Sequence, residues 1–553
     1  MPWSIPGVVS VAVSHPHVLL VHANPLQRVL PVPPYGLELV RGALDGVTGS
    51  CEIVDPFLTD VRPLAAAAES ARRSEADVIG LGLRVLEDCI PIDGLAEREE
   101  PLDVHSVIGE VRQLVAALRE ARPDATIVLG GAGFSACPAE ALDELDVPLG
   151  VVGAGERPFR ILVQRVAAGA EIGSIAGVVR RGEAIAPHSY VVSGRAAVQR
   201  EPLYAPAYGF PVRLRTGCAM ECSYCTAANM GRVHGDGDVG EIVDEIAALV
   251  ASARLKGLPV LPLFLAADEV NLPDERLLVR VLRELVARDL AKALHWRGYF
   301  NPTPFSDELC ELIVATNGTV SMTVDSSCDD VLARNGKPFR RRHLDAAVER
   351  VVGHGITLEL GLIFGMPGET EQTLADTVAW VHALPGQVEV VYAAGARVYP
   401  GTPLARAAEA EPERVVRVGE GALDPVAYCA LGTPRALARR LHELLGARPH
   451  TDLLGVGYRS ASRAPSEAYR VVRERGARPA WDAMLEGATG ASPGLRGALL
   501  QIALWHGRHD LAVPTLDAML AAGDGDAGQL RRARRVYAVM GATSRLGRLV
   551  RRG

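Results

Sequence analysis

Three cysteines lie within eight residues of this chain: Cys218, Cys222 and Cys225. Soft thiolates prefer iron–sulfur clusters or zinc to hard cations. Three of them on one short loop can hold three corners of a cuboidal iron–sulfur cluster and leave the fourth iron open to chelate S-adenosylmethionine (SAM). A structural zinc site normally needs four ligands, and the sequence has no second closely spaced cysteine pair. A redox pair of Cys222 and Cys225 would leave Cys218 without a role. We therefore favour a cluster over both alternatives.

The composition limits the kinds of protein to consider. With 553 residues, 48% of them hydrophobic, the chain is long enough for about two to four domains. A net charge of -8 gives no electrostatic reason to expect nucleic acid as a partner. Nine cysteines without a framework of spacings fit a reducing compartment. No apolar run reaches about 18 residues and no secretory pattern opens the chain, so we expect a cytoplasmic protein without a membrane span.

The first third of the chain alternates short apolar runs with amphipathic stretches. Strands are predicted at 17–22, 51–54, 77–83, 126–130 and 149–152, and helices near 35–46, 63–73, 106–122, 138–145 and 157–167. This rhythm is typical of a doubly wound, Rossmann-like parallel sheet, whose ligands bind at the carboxyl ends of the strands. The fourth and fifth strands run into glycine-rich turns, where small residues let a bulky ligand approach the backbone. Turns alone need glycine as well, so this signal is weak by itself.

A second series of strands surrounds and follows the cysteine loop. These strands are predicted at 211–215, 260–266, 295–299, 319–326, 356–364 and 388–393. Strands that alternate with helices in this way predict a partial (βα)6 barrel with its site at the carboxyl ends of the strands. Glu269 follows the second strand, and Asp325 and Ser326 end the fourth.

This combination of a Rossmann-like domain, a cysteine loop and polar strand ends resembles the cobalamin-dependent (class B) radical SAM methyltransferase family. The resemblance covers about residues 206–405 and includes the strings 325–339 and 397–404. It implies three cofactors: a [4Fe-4S] cluster, SAM and cobalamin. The members that methylate tryptophan in thiopeptide biosynthesis are the ones to compare first.

The resemblance also implies roles for individual residues. Cobalamin is implied to lie against Gly130, Gly131, Ser135, Gly153, Gly155 and Glu156. Arg62 could lie near its lower face, although a solvated loop is the more ordinary position for this arginine. Binding of SAM is implied for Glu269, Asp325, Ser326, Ile363, Gly365 and Gly368. Glu269 has a second possible role, as a fourth ligand to the open iron. Tyr299 and Arg297 are candidates to line the substrate pocket, as is Trp296, for which packing in the core is the more ordinary role.

One motif of other cobalamin proteins is missing. The pattern D-x-H-x-x-G, which supplies a histidine to cobalt, is absent, and the nearest string, 103–109, has one residue too many. We interpret His105 as a residue at the start of a helix and expect no histidine ligand on cobalt.

The resemblance makes C-methylation of a small metabolite or natural-product precursor the main expectation, with methylcobalamin carrying the methyl group from SAM to a substrate carbon. If Glu269 closes the fourth iron, polar methylation of an aromatic carbon, such as indole C2 of tryptophan, replaces the radical route. A cyclase or ring-rearranging enzyme would use the same cofactors without methylating. A non-catalytic cobalamin or iron–sulfur sensor would need an output module, and the sequence shows none.

Four segments are predicted: a cobalamin-binding domain (1–175), a linker (176–205), a radical SAM barrel (206–410) and a helical C-terminal domain (411–553) that caps the barrel mouth. The expected partners are a small-molecule substrate and an electron donor such as flavodoxin or ferredoxin, without nucleic acid or membrane. A monomer is favoured over an oligomer.

Overall fold

The computed structural model describes residues 15–25, 31–87, 104–183, 198, 200–228, 235–454, 458–474, 476–487 and 493–550. The N-terminal region forms a six-stranded sheet in the order β2-β1-β3-β4-β5-β6. Its strands are β1 (His17–His22), β2 (Ser50–Val54), β3 (Val78–Gly82), β4 (Thr126–Gly130), β5 (Leu149–Val151) and β6 (Val178–Arg180). Its helices are α1 (Tyr35–Ala43), α2 (Pro56–Thr59), α3 (Pro63–Arg73), α4 (Ile108–Ala121), α5 (Ala132–Ala136), α6 (Pro138–Glu144) and α7 (Glu156–Ala167). The predicted doubly wound sheet is confirmed.

Both faces of this sheet are buried, as its nearly continuous apolar strands indicate. Leu19 and Val21 of β1 belong to one core, whereas Val18 and Leu20 belong to the other. The first five strands are parallel, and β6 pairs antiparallel with β5 at the edge. The sheet therefore extends into the segment predicted as a linker.

The second sheet has seven parallel strands in the order β18-β14-β13-β12-β11-β10-β7. The strands of this region are β7 (Phe210–Arg213), β8 (Arg215–Thr216), β9 (Gly235–Asp236), β10 (Leu261–Ala266), β11 (Leu294–Tyr299), β12 (Gly318–Asp325), β13 (Leu358–Phe364) and β14 (Glu389–Ala394). Its helices are α8 (Val239–Leu255), α9 (Arg276–Ala287), α10 (Asp307–Ala315), α11 (Asp329–Arg334), α12 (Arg341–Gly353) and α13 (Glu371–Ala383). All six predicted barrel strands are present.

Alternating burial gives this curved sheet an outer and an inner face. On β11, Leu294 and Trp296 are buried in the core, whereas Arg297 and Tyr299 are exposed. The Trp296 indole donates to the Thr316 hydroxyl at 2.9 Å. Trp296 is therefore a core residue, and its placement as a pocket candidate is wrong, while Arg297 and Tyr299 lie on the inner face.

The chain then continues through β15 (Ala396–Arg397), α14 (Pro403–Ala410), β16 (Val415–Arg417), β17 (Val426–Tyr428), α15 (Pro434–Leu445), β18 (Thr451–Leu453), α16 (Tyr458–Val471), α17 (Arg478–Gly487), α18 (Pro493–Trp505), α19 (His509–Ala522) and α20 (Ala527–Val550). The segment after residue 410 is thus not wholly helical. Its short strand β18 adds to the edge of the barrel sheet by pairing with β14. Among the described residues, no helix combines the length and the hydropathy needed to cross a bilayer.

The last helices contact the barrel at the end opposite to the one predicted. Trp505 packs edge-on against Phe210, the first residue of β7, with ring centroids 5.1 Å apart. Tyr537 donates to the Gly257 carbonyl at 2.6 Å, in the loop that leads into β10. These contacts lie at the amino ends of the strands. In these contacts the last helices do not cover the barrel mouth, whereas Ala430, earlier in the predicted C-terminal segment, donates its N–H to the Gly365 carbonyl at the carboxyl end of β13. Helical periodicity shows that a face is buried but not what covers it.

Candidate active site between the two sheets

A cavity of about 1460 Å³ lies where the carboxyl ends of the two sheets face each other. The predicted site residues that line it are Gly130, Gly131, Ser135, Gly153, Gly155, Glu156, Cys218, Cys222, Cys225, Arg297 and Tyr299. The predicted residues outside its lining are Arg62, Glu269, Asp325, Ser326, Ile363, Gly365 and Gly368. The fold thus brings the cobalamin, cluster and substrate candidates to one cavity.

The cysteine loop follows β8 and is clamped from two sides. The Ser223 hydroxyl donates to the Asn335 side chain at 2.7 Å, and the Ser223 carbonyl accepts the Leu404 N–H at 2.8 Å. The backbone N–H groups of Met220 and Ala227 point at the sulfurs of Cys218 and Cys225, both at 3.4 Å. Such N–H groups stabilise thiolate ligands. The loop therefore suits sulfurs that carry charge.

Burial raises the pKa of Cys218 to about 11 and that of Cys222 to about 12, and it raises the pKa of Cys225 as well. Thiols of this kind are poor nucleophiles at neutral pH, which disfavours a redox pair. A metal that binds here must displace the protons. Among the described residues, no three His, Cys, Asp or Glu side chains are grouped as ligands of a single ion. The buried sulfurs and their N–H donors fit a thiolate-held cluster.

The cobalamin wall is built from the loops after β4 and β5, which Ser135 ties together. Its hydroxyl donates to the Gly131 carbonyl at 2.8 Å and accepts the Gly153 N–H at 3.0 Å. Gly131 has a φ of +95°, and a Cβ there would lie 2.4 Å from the Leu83 carbonyl oxygen. A Cβ on Gly130 would meet only the Val151 carbonyl, at 3.8 Å. Gly131 therefore serves the turn, while Gly130 leaves open space for a ligand.

Apolar side chains of the first sheet and its helices also line the cavity. Leu20 and Val128 line it from the sheet, and Leu37 of α1 and Phe159 of α7 line it from the other side. The glycine ends of the strands and this apolar lining fit cobalamin, a bulky ring system with a slender nucleotide tail.

Two residues that sequence reasoning missed also line the cavity. His22 ends β1, where its Nδ1 lies 2.9 Å from Asp55 and its Nε2 accepts from the Asn24 amide at 2.6 Å. Both ring nitrogens of His22 are therefore engaged. Arg213 ends β7 and forms an ion pair with Glu156 at 2.5 Å. Their only sequence signal is that each lies at the end of a strand.

Arg62 and His105, which the sequence analysis considered in relation to cobalt, lie away from the cobalamin wall. Arg62 is exposed on the surface, where its backbone N–H donates to Asp60 at 2.8 Å. His105 precedes α4 and pairs with Glu110 at 3.0 Å. The assignment of Arg62 to the lower face of cobalt finds no support in this position.

The acidic residues after β10 point in different directions. Asp268, which the sequence analysis did not single out, lines the cavity near the cysteine loop. Glu269 is 7% exposed, and its Oε2 has no hydrogen-bond partner among the described residues. Burial raises the pKa of Glu269 to about 8, although Lys337 opposes this. An orphaned buried carboxylate beside the cysteine loop fits a group that awaits a ligand or a metal.

Asp325 and Ser326 are both buried and both have protein partners. Asp325 accepts from the Tyr224 hydroxyl at 3.0 Å and pairs with Lys337 at 2.9 Å. The Ser326 hydroxyl lies 3.3 Å from that of Thr377 on α13. Both side chains therefore already have hydrogen-bond partners within the protein, and neither lines the cavity. Their implied role in binding SAM stays a prediction without support from the described contacts.

The residues at the end of β13 have mainly structural contacts. Ile363 is partly buried in a small core beside the cysteine loop. Gly365 has a φ of +84°, and a Cβ there would lie 2.8 Å from the Cys429 sulfur. Gly368 has a φ of +87°, and a Cβ would meet Arg334 at 2.3 Å. Both glycines are required by the turn, and a role of this strand in adenine binding stays a prediction.

Glu369, in the same turn, should make stability depend on pH. One carboxylate oxygen accepts the Gly365 N–H, and the other has no partner among the described residues. Burial raises the pKa of Glu369 from 4.5 to about 7. The folded state therefore holds this proton at a higher pH than the unfolded chain does. The contribution of Glu369 to the free energy of unfolding is complete below about pH 4.5 and is lost as the pH rises to about 7.

We expect Glu369→Gln to remove this loss because the amide oxygen keeps the Gly365 bond without a charge. Between about pH 5 and pH 8 the unaltered chain should lose on the order of 3 kcal/mol relative to the variant. Thermal unfolding of the metal-free chain at both pH values measures the difference. Glu349→Gln, at an exposed position, is the control, and equal pH responses of all three proteins would contradict the prediction.

Comparison with known proteins agrees with this geometry. Residues 26–163 match the B12 binding domain, and residues 212–381 match the radical SAM superfamily. The tryptophan 2-C-methyltransferase of Streptomyces laurentii is 24% identical over 461 residues, which are 69% of this chain and 73% of that protein. The chain belongs to the cobalamin-dependent radical SAM methyltransferases.

Solved structures share the fold of this methyltransferase. TsrM of Kitasatospora setae, with cobalamin and a [4Fe-4S] cluster bound, has a TM-score of 0.68 at 20% identity and covers 91% of this chain and 99% of its own. The same enzyme with tryptophan and a SAM analogue has a TM-score of 0.62 at 21% identity, covering 78% and 88%. The cofactors of the methyltransferase are accordingly cobalamin, a [4Fe-4S] cluster and SAM.

Largely buried ion pairs join the two halves of the methyltransferase. Besides Arg213 and Glu156, Arg397 pairs with Glu87 at 2.9 Å, and the Tyr399 hydroxyl donates to the same carboxylate at 2.6 Å. Glu87 is 1% exposed. A buried carboxylate is stabilised only by such partners, so these contacts fix the B12-binding half against the barrel.

Proposed function

We propose that this methyltransferase moves the methyl group of SAM, through cobalamin, to a carbon of a small aromatic substrate held on the inner face of the barrel. The observation that carries the proposal is the cavity itself, which runs without interruption from the glycine ends of the first sheet to Tyr299. A substrate on that inner face would lie between the cobalamin wall and the cysteine loop. Bound cobalamin would supply a transferable methyl group, which SAM would replenish.

The inner face suits a flat ring that carries a carboxylate. Phe264 and Tyr299 form a T-shaped pair with ring centroids 5.5 Å apart, and both line the cavity. Arg297, two residues from Tyr299, lines it as well. Aromatic rings favour edge and face contacts with another ring, and a guanidinium pairs with a carboxylate. An aromatic amino acid meets both requirements, and tryptophan is the substrate bound in TsrM.

The acidic pair after β10 supports a polar route over a radical one. Polar methylation of an aromatic carbon must end with loss of a ring proton, which needs a base. Asp268 lines the cavity, and burial raises its pKa above the ordinary range, which brings a carboxylate closer to the strength of a useful base. Glu269, with its orphaned oxygen, is the candidate to close the fourth iron. In this assignment Asp268 takes the proton and Glu269 keeps SAM off the cluster.

The direct test uses anaerobically reconstituted enzyme, methyl-labelled SAM and a panel of indole and phenyl amino acids. We expect label in a product carbon together with S-adenosylhomocysteine and without matching 5′-deoxyadenosine. Equal amounts of 5′-deoxyadenosine and product would establish the radical route instead. A product without label would indicate a cyclase or a rearranging enzyme. Absence of any SAM turnover would favour a non-catalytic sensor over an enzyme.

Replacement of Arg297 should separate binding from chemistry. We expect Arg297→Gln to raise the KM of an aromatic amino acid by about 10- to 100-fold with little change in kcat, because a charge-assisted hydrogen bond to a carboxylate is worth about 1.5–3 kcal/mol. The corresponding amine without the carboxylate should be unaffected. His295→Gln, on the same face of β11 but outside the cavity lining, is the control. An equal rise in KM for the amino acid and for the amine would refute the contact between Arg297 and the substrate carboxylate.

A further inference from the structure

A series of side-chain hydrogen bonds connects the end of β1 to the loop after β3. His22 is 7% exposed and lines the cavity. Its Nδ1 lies 2.9 Å from Asp55, and its Nε2 lies 2.6 Å from the amide nitrogen of Asn24. The amide oxygen of Asn24 accepts the backbone N–H groups of Arg84 and Val85, at 3.2 and 3.3 Å. His22 is thus connected through a single side chain to the backbone of that loop.

The partners at both ends assign the same tautomer to His22. The Asp55 carboxylate also accepts from the Tyr204 hydroxyl and from the Leu58 N–H, so it presents only acceptor atoms to the ring. The proton of the ring therefore lies on Nδ1, and Nε2 is an acceptor. At the other end, the oxygen of Asn24 is occupied by the two backbone N–H groups, so its NH2 group faces Nε2. The donors and acceptors match along the whole series.

The His22 ring is held in place by contacts from outside its own strand. Asp55 is the residue before α2 and caps that helix. Tyr204, which is 1% exposed, comes from the segment predicted as a linker. The next residue, Ala205, donates its N–H to the Tyr469 hydroxyl of α16 at 3.0 Å. Rotation of the ring would therefore break contacts that depend on three separate parts of the chain.

The loop after β3 contacts the glycine-rich turn of the cobalamin wall. Arg84 of this loop lines the cavity. The Leu83 N–H donates to the Gly130 carbonyl at 2.8 Å, and the Leu83 carbonyl accepts the Gly133 N–H at 3.0 Å. The loop is thus joined to the turn after β4 by Leu83 and to the end of β1 by Asn24.

We infer that His22 is a positioning residue for cobalamin: it orients Asn24, and Asn24 holds the loop after β3 in the arrangement that the cofactor meets. The inference rests on the proposed position of cobalamin against this wall. Without these hydrogen bonds, the two backbone N–H groups of the loop lose their acceptor. The loop would then have to be ordered when cobalamin binds, which lowers the affinity. Because both ring nitrogens have partners, His22 is not assigned as a ligand of cobalt.

Variants of the full chain, titrated with hydroxocobalamin and followed by difference absorbance, test this role. In His22→Asn the shorter side chain can still donate to Asp55 but leaves Asn24 without its acceptor, and we expect the Kd to rise about tenfold. His22→Gln places an acceptor near the position of Nε2, so its Kd should stay within about threefold of that of the unaltered chain. Asn24→Ala should raise the Kd about tenfold. The double variant His22→Asn/Asn24→Ala should match Asn24→Ala, because both changes act on one contact.

The control is His17→Asn, at the other end of β1 and outside the cavity lining, which should bind like the unaltered chain. Equal Kd values for the two His22 variants would show that only the volume of the ring matters and would overturn the inference, as would additive losses in the double variant. A change of cobalt ligand, seen in the visible spectrum of cobalamin bound to His22→Asn, would also overturn it. If His22→Asn does not fold, Asn24→Ala decides alone, and an unchanged Kd there contradicts the inference.

Gly130→Leu, which places a side chain in the cavity, separates this inference from the proposed position of cobalamin. Unchanged affinity in that variant would refute the position itself. Lost affinity there, together with unchanged affinity in the His22 and Asn24 variants, would refute only the role of His22.

Discussion

Replacing Cys222 with alanine is expected to abolish the broad absorbance near about 400 nm of a thiolate-held cluster and to lower bound iron to background. Cys222 is the most buried cysteine of the loop, and its carbonyl accepts the Cys225 N–H at 3.1 Å. The loop has no fourth cysteine to replace it. We expect methyl transfer that depends on the cluster to fall more than about 100-fold, since the other two ligands cannot hold a cubane alone.

The matched control is Cys310→Ala. Cys310 is 0% exposed in the barrel core, so its removal costs packing of the same kind without touching the loop. We expect this control to keep its iron, its absorbance and its activity. A Cys222 variant that retained full iron would contradict the assignment, as would anaerobically isolated protein that carried zinc.

Introducing leucine at Gly130 is expected to block cobalamin while leaving the fold intact. A Cβ at this position meets nothing closer than 3.8 Å, so the chain can accept a side chain, but the side chain must enter the cavity. We expect the Kd for hydroxocobalamin to rise more than about 100-fold because the added volume overlaps the ligand and the rigid strand end cannot retreat. Difference absorbance during titration measures the Kd.

Gly109→Leu is the corresponding control. Gly109 is exposed on α4, with nothing within 4 Å of an added Cβ, and it is outside the cavity lining. Its affinity for cobalamin should match that of the unaltered chain. Unchanged affinity in the Gly130 variant would place the cofactor elsewhere and would remove the basis for a methyl path across the cavity.

Much of the architecture could be predicted because it follows from local periodicity and spacing. Parallel strands that are buried on both faces occur in the sequence as continuous apolar runs. The spacing of the three cysteines directly predicts a cluster held by thiolates. The strand β18 could not be predicted in this way, because three residues (Thr451–Leu453) carry no period. Its place in the sheet depends on β14, which lies far away in the sequence.

The site was predictable only where backbone position decides it. Gly130 ends β4 and Ser135 lies in the short helix α5 that follows it, and strand ends converge in such sheets. Asp325 looked equally suitable from the sequence, yet Lys337 and Tyr224 occupy it. The sequence cannot show which of two adjacent carboxylates, Asp268 or Glu269, faces the cavity, because that depends on the exact turn after β10. Pairings between distant side chains are the information that only the fold supplies.

The ion pairs that join the two halves of the methyltransferase bear on how a methyl group could travel. Arg213 with Glu156 and Arg397 with Glu87 join the halves at separate points, which opposes any hinge between them. A cofactor that carries a methyl group between two halves fixed in this way cannot move between two distant sites in turn, as a mobile arm would. In the proposed methyl path, donor and acceptor would therefore take turns at a stationary corrin, and the order in which SAM and substrate enter and leave would be the natural place to look for control of turnover.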